Sequence, residues 1–148
     1  MDLFSDLGLG FATALSVHNL FYCFLGALIG TLIGVLPGLG PVATIAMLLP
    51  LTFGLDPVTA LIMLAGIFYG AQYGSSTTAI LINLPGEASS VVTALDGYKM
   101  ARQGRAGAAL ATAALGSFFA GSVATLIIAT VGPLLAGVAL SFGPAEYF

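Results

Sequence analysis

Apolar positions fill this chain in long unbroken runs, with neither the alternation of a half-buried strand nor the single stripe of a soluble helix. No charged side chain occurs between Asp6 and Asp56, between Asp56 and Glu87, or between Arg105 and Glu146. Each interval exceeds the ~20 apolar residues that a helix needs to cross a bilayer core. Near the start, Leu3, Phe4, Leu7 and Phe11 recur at roughly helical spacing, and "SVHN" at 16–19 offers cap residues ahead of the next run. The pattern predicts a short interfacial helix over residues 2–15 and a first spanning helix over residues 19–36.

Glycine punctuates these runs with a helical period. Gly26, Gly30, Gly34 and Gly38 recur every fourth residue, as do Gly66, Gly70 and Gly74 in a later run. Such ladders put a flat strip on one helix face, against which another backbone can pack closely. The second helix has a clear start, because Asp56 can cap it and Pro57 suits its first position.

Two stretches break the apolar pattern. In "GVLPGLGPVATIAM", residues 34–47, Pro37 should end the first helix near Leu36 and Pro41 should open the next. After Gly74 comes "SSTTAILINLPGEASS", in which Ser75–Ile82 is too short to cross alone and Pro85 and Gly86 make the second break. A helix then reads from 88 to 103, with Val91, Val92, Leu95 and Tyr98 on one side and Ser89, Thr93, Asp96 and Gln103 on the other. The two pieces predict a re-entrant hairpin with its tip at Asn83–Ser90. Lys99, Arg102 and Arg105, the only basic residues besides His18, follow directly, so this connection is expected in the cytoplasm. Residues 107–131 return across the bilayer, Gly132 and Pro133 interrupt, and "SFGPAEYF" enters a further helix. In the favoured topology the N-terminus is cytoplasmic, residues 19–53 form one broken crossing and residues 57–73 return.

Composition narrows the function classes. A hydrophobic share of 59% with 6% charged residues identifies a membrane chain. Asp2 and Asp6 stand where a cleavable signal would be basic, so the N-terminus is expected to be retained. Three Lys/Arg residues make no basic stripe for nucleic acid, and Cys23 alone builds neither a disulfide nor a thiolate metal site. No nucleophile or acid–base pair falls at a credible spacing, so the chain reads as a non-enzyme without a cofactor.

Irregular backbone at membrane depth persists only where it is buried in protein or lines a cavity. Discontinuous helices of this kind hold substrates and ions near the midplane of secondary transporters. Helix N-termini at the breaks suit an anion, so the substrate-binding candidates are Pro37, Gly38, Gly40, Pro41, Ser75, Ser76, Thr77, Asn83, Pro85, Gly86, Ser89 and Ser90. About half of the hydroxyls are expected to bond their own helix instead. Glu87, an intramembrane acid at the tip, is the candidate for a coupling Na+ or H+, with helix capping as its other reading. Asp96, one turn before Lys99, reads as half of a surface pair, and His18 as an interfacial residue. An ion channel or a structural membrane scaffold is the alternative, and gradient-driven accumulation separates a carrier from both.

Residues 30–107, with "GVLPGLGP" and "NLPGEASS" at this separation, resemble the N-terminal part of the large membrane subunit of bacterial tripartite tricarboxylate transporters, the TctA family. The resemblance extends from "SVHNLFYCFLGALIG" to "FGPAEYF". It implies an all-α helical bundle of the inner membrane, with Pro-Gly-broken helices, that imports citrate-like carboxylates on an ion gradient. It also implies two partners, a small membrane subunit and a periplasmic substrate-binding protein. Members of this family are several times longer, and their second half resembles the first. Residues 1–148 are therefore expected to be one transmembrane region, the first of two inverted repeats and a fragment of a longer permease.

Overall fold

The structure is a computed structural model and describes residues 3–139. It is all-α, with no strand among the described residues. Its elements are α1 (Leu3–Ala14), α2 (Val17–Gly34), α3 (Pro41–Leu48) running into a 3-10 turn (Leu49–Thr52), α4 (Pro57–Ile82), α5 (Ser90–Arg102) and α6 (Ala106–Ala139). The chain divides into two compact units, Met1–Leu110 and Ala111–Phe148. Three helices are long and apolar enough to cross a membrane: Val17–Gly34, Pro57–Ile82 and Ala106–Gly132. Together they make this a multi-pass membrane protein.

Helix starts fall where the cap residues place them. The Ser16 side chain accepts from the Asn19 N–H at the head of α2, and Asp56 accepts from the Val58 N–H at the head of α4, with Pro57 in the first turn. The α1–α2 corner is fastened by Asn19, whose amide donates to the Thr13 carbonyl at 2.8 Å.

The centre of the first unit is the α2–α4 pair, and its glycine strips are reciprocal. A Cβ on Gly26, Gly30 or Gly34 would strike the carbonyls of Met63, Ile67 and Ala71 in turn. A Cβ on Gly66, Gly70 or Gly74 would strike those of Cys23, Ala27 and Thr31. Lipid offers no hydrophobic drive to pair two helices, so close backbone approach and weak Cα–H···O contacts hold them instead. One polar bond adds to the pair, Thr59 Oγ1 donating to Asn19 Oδ1 at 2.7 Å, with both residues buried.

The register of these contacts corrects the expected topology. Residue numbers rise together along both strips, from Asn19 beside Thr59 to Gly34 beside Ala71, so α2 and α4 run parallel. Residues 57–73 are therefore not the return of the first crossing. That return is α3 with its 3-10 turn, Pro41–Thr52, whose 12 residues span about 18 Å at helical rise, short of the ~30 Å core.

Three further expectations change. Ser75–Ile82 is not a separate arm but the last two turns of α4, a helix of 26 residues. Its continuation is also no antiparallel hairpin. Gln72 meets Ser89, Ser75 meets Ser90, and Ile80 lies against Gly97, so α5 advances in the same direction as α4. Residues 83–89 fold back along α4 to make this possible. The face of α5 turned inward is Ser90, Ala94 and Gly97, whereas Val91, Val92 and Leu95 are exposed. Small residues mark the packed side of a membrane helix, and large apolar ones suit lipid. Finally, α6 passes through Gly132 and Pro133 without ending, since a spanning helix can re-satisfy the one carbonyl that proline frees. The "SFGPAEYF" segment lies outside the described residues.

Candidate functional site

The first break occupies residues 35–40. Helix α2 ends at Gly34, slightly earlier than its proline implies, and Val35 caps it by donating to Thr31 and Ile33. The chain then turns through Pro37, exposed, and Gly38, whose φ of +86° lies in the left-handed region that glycine enters without strain. Gly40 is the N-cap of α3 and Pro41 its first residue, buried. The Gly40 carbonyl accepts from both the Thr44 N–H (3.1 Å) and the Thr44 hydroxyl (3.0 Å), which closes this turn.

At the second break, Asn83 terminates α4 in the left-handed conformation, φ 58°. Leu84 and Pro85 lead back, and Gly86 is buried against Ser75, where a Cβ would come within 2.6 Å of the serine Oγ. Ser90 closes the turn. Its hydroxyl donates to the Glu87 carbonyl at 2.8 Å and accepts from the Ser75 hydroxyl at 3.0 Å and the Glu87 N–H at 3.3 Å. The Ser90 and Val91 N–H groups bond the carbonyls of Glu87 and Ala88. Three N–H groups at the tip are thus turned into the protein's own hydrogen bonds.

The structure brings the two breaks together. A Cβ on Gly40 would lie 3.6 Å from the Glu87 Cβ and 3.7 Å from its Oε2, so the half-buried Glu87 carboxylate stands over the α2–α3 turn. Its Oε1 accepts from the Ser89 hydroxyl, which in turn accepts from Gln72 Nε2 at 2.8 Å. No basic residue occurs on α3 or α4. Lys99, Arg102 and Arg105 are exposed, at the far end of α5 and just beyond it, so the carboxylate charge faces neutral groups. A carboxylate with a hydroxyl beside it, between two stretches of irregular backbone, offers oxygen ligands of the kind a small hard cation takes.

Not every candidate points to this junction. Ser76 bonds the Gln72 carbonyl at 3.2 Å, Thr77 the Tyr73 carbonyl at 2.9 Å, and Thr78 the Ser75 carbonyl at 3.0 Å, each within α4. Ser75 and Ser90 are almost fully buried and bond one another, which pins the second break to α4. Among the described residues no buried side-chain N or O atom lacks a partner. Asp96 and Lys99 are both exposed on α5. Sequence reasoning passed over Gln72 and Thr44. An amide within a glycine ladder was the signal available for Gln72, and a threonine one turn after the Gly40–Pro41 cap was the signal for Thr44.

A family model described as the tripartite tricarboxylate transporter TctA family matches residues 20–148. A curated protein of Agrobacterium vitis, described as an uncharacterized 52.8 kDa protein in the TAR-I ttuC' 3' region, is 72% identical over all 148 residues. The chain spans 30% of that relative's length. No solved structure matches it.

Proposed function

Because the chain belongs to the tripartite tricarboxylate transporter TctA family, we propose that it serves the membrane permease of such a system, a carrier and not an enzyme. The permease imports citrate-like tricarboxylates or related organic carboxylates across the bacterial inner membrane, driven by an Na+ or H+ gradient. It works with a small membrane subunit and with a periplasmic protein that delivers the substrate. The observation that carries this reading is the meeting of both breaks at Gly40 and Glu87. A kinked scaffold has no need to gather its irregular segments around one carboxylate, whereas a carrier holds ligand and ion between such segments.

In this reading the ligand-facing backbone is Pro37–Pro41 and Asn83–Gly86, with Ser89 beside them, and Glu87 takes the coupling cation. Ser75 and Ser90 hold the second break in place. The parallel run of α2, α4 and α5 also ties the orientation of α2 to that of the basic end of α5. If the Lys99–Arg105 end is cytoplasmic, the Ser16 end of α2 lies on the periplasmic face, opposite to the orientation that the sequence favoured.

The test is uptake of labelled citrate, and of a panel of other di- and tricarboxylates, by cells expressing the permease that contains residues 1–148 together with both partners. Concentrative uptake that collapses with the ion gradient supports the carrier, and equilibration alone would show a channel. Gly38→Val strains a left-handed turn that has no neighbour within 4 Å, and Gly86→Val drives a side chain into Ser75. Both variants should insert and lose uptake at least tenfold, and wild-type uptake by both would remove the site assignment.

A further inference from the structure

We propose that Gln72 is the positioning residue for the Glu87 carboxylate, acting through the Ser89 hydroxyl, so that the cation received at the two breaks is read by the continuous helix α4. This rests on the reading above that Glu87 receives the coupling cation. The chain runs from Gln72 Nε2 to Ser89 Oγ at 2.8 Å and from the Ser89 hydroxyl to Glu87 Oε1, with Oε2 left over Gly40.

Counting donors fixes its direction. An ionised carboxylate only accepts, and a serine hydroxyl has a single proton. The Ser89 proton therefore goes to Glu87, and a lone pair of Ser89 accepts from the Gln72 amide. If Glu87 takes a proton, the new O–H donates to Ser89 Oγ, and the Ser89 proton turns toward Gln72, which can present its carbonyl after rotating the amide. A glutamine can end the chain in either direction. A lysine, which only donates, or a methionine, which offers no N–H, cannot. The elements around Glu87 bring few competing charges. Helix α3 has no titratable side chain, α4 has only Tyr69 and Tyr73, and the nearest on α5 are Asp96, Tyr98 and Lys99.

A bound sodium ion and a bound proton share one chemistry here, a monovalent cation on a carboxylate oxygen, and the sign of the effect separates them. Without the Gln72 donor the Ser89 hydroxyl is free to turn away from the carboxylate, so a sodium site weakens. The ionised carboxylate is then less well supported by Ser89, so a proton is held more tightly.

The experiment measures labelled citrate uptake by the permease that contains these residues, with its partners, against sodium concentration at fixed pH and against pH at fixed sodium. The variants are Gln72→Met, Ser89→Ala, Glu87→Gln and the double variant Gln72→Met/Glu87→Gln. Gln72→Met should change the half-saturating cation concentration about three- to tenfold, in keeping with the loss of one hydrogen bond between neutral groups, and Ser89→Ala should change it about tenfold or more, because it removes the bond to the charged carboxylate itself. The change is a rise if sodium couples and a fall in proton concentration if protons couple, with the KM for citrate in Gln72→Met within about twofold of wild type. The double variant should match Glu87→Gln alone, because Gln72 acts only through Glu87. A Gln72→Met effect confined to maximal rate or to membrane abundance would overturn the positioning role, since loss of a merely structural contact has that signature. Ser89 is exposed, so Ser89→Ala decides the matter should Gln72→Met fail to insert. Unchanged cation dependence in Glu87→Gln would instead overturn the underlying assignment of Glu87.

Discussion

Gly66→Ala adds one methyl group at the centre of the α2–α4 pair, and the structure says where it goes. An ideal Cβ on Gly66 lies 2.5 Å from the Cys23 carbonyl oxygen and 3.1 Å from the Ala27 nitrogen, against 3.4–4 Å for ordinary contact. Both neighbours are backbone, so no rotamer can relieve the clash and the helices must part by about 1 Å locally. Six glycines meet facing carbonyls along the pair. At about 0.5–1 kcal/mol for each Cα–H···O contact, they contribute about 3–6 kcal/mol. A gap of 0.5–1 Å forfeits roughly a quarter to a half of a dispersion well, and the same fraction applied here gives a loss of about 1–3 kcal/mol. Alanine returns up to about 1 kcal/mol of helix propensity. Gly116→Ala in α6 isolates that gain, because nothing lies within 4 Å of its Cβ. The two variants should therefore differ by about 1–3 kcal/mol when unfolded reversibly in mixed detergent–SDS micelles and followed by circular dichroism, with Gly66→Ala the weaker. A difference under about 0.5 kcal/mol would refute backbone-to-backbone packing at this strip.

Thr59→Val removes the donor to Asn19 Oδ1 while keeping side-chain shape, and should cost about 0.5–1.5 kcal/mol in the same titration, the range for interhelical hydrogen bonds in membranes. Its effect should largely vanish in an Asn19→Leu background, and full additivity would mean that the bond contributes nothing. Orientation is checked by cysteine labelling after Cys23→Ala. A cysteine at Leu15 should react with an impermeant thiol reagent in spheroplasts, and one at Gln103 only after permeabilisation. Labelling of both from the same side would contradict the parallel α2–α4 register or the cytoplasmic position of the basic cluster.

Local chemistry made much of the fold readable from the sequence. Ser16, Asp56–Pro57 and Gly40–Pro41 announce helix starts through rules that act within one turn, and each start lies where those residues put it. The glycine ladders announced that close packing would occur. Direction was hidden, because a strip of period four fits a parallel or an antiparallel partner equally well. Which side of α5 packs was hidden as well. Amphipathic reasoning assumes that water is outside, whereas in lipid Val91, Val92 and Leu95 can face outward and Ser90, Ala94 and Gly97 turn in. At the site, the breaks and Glu87 stood out as departures from an apolar background. Gln72 did not, since its hydrogen bond reaches a residue 17 positions later that folds back beside it.

The strips and the site are linked through Gly74. Its Cβ would lie 2.5 Å from the Thr31 carbonyl oxygen and 2.8 Å from the Gly34 carbonyl carbon, so it is the last close contact before α2 ends and the first break begins. The next residue, Ser75, holds the second break through Ser90 and leaves room only for Gly86. The depth at which α2 stops and the depth to which residues 83–89 fold back are thus both measured from one turn of α4. A parallel α2–α4 pair makes this possible, because it places the end of α2 beside the middle of α4 and leaves α3 to leave from that level. With an antiparallel pair the end of α2 would lie beside Thr59, roughly 24 Å along the helix from Ser75 at 1.5 Å per residue. Gly40 and Glu87 could not then meet. The direction of the central pair, more than either Pro-Gly motif, is what brings two separate breaks together as one candidate site.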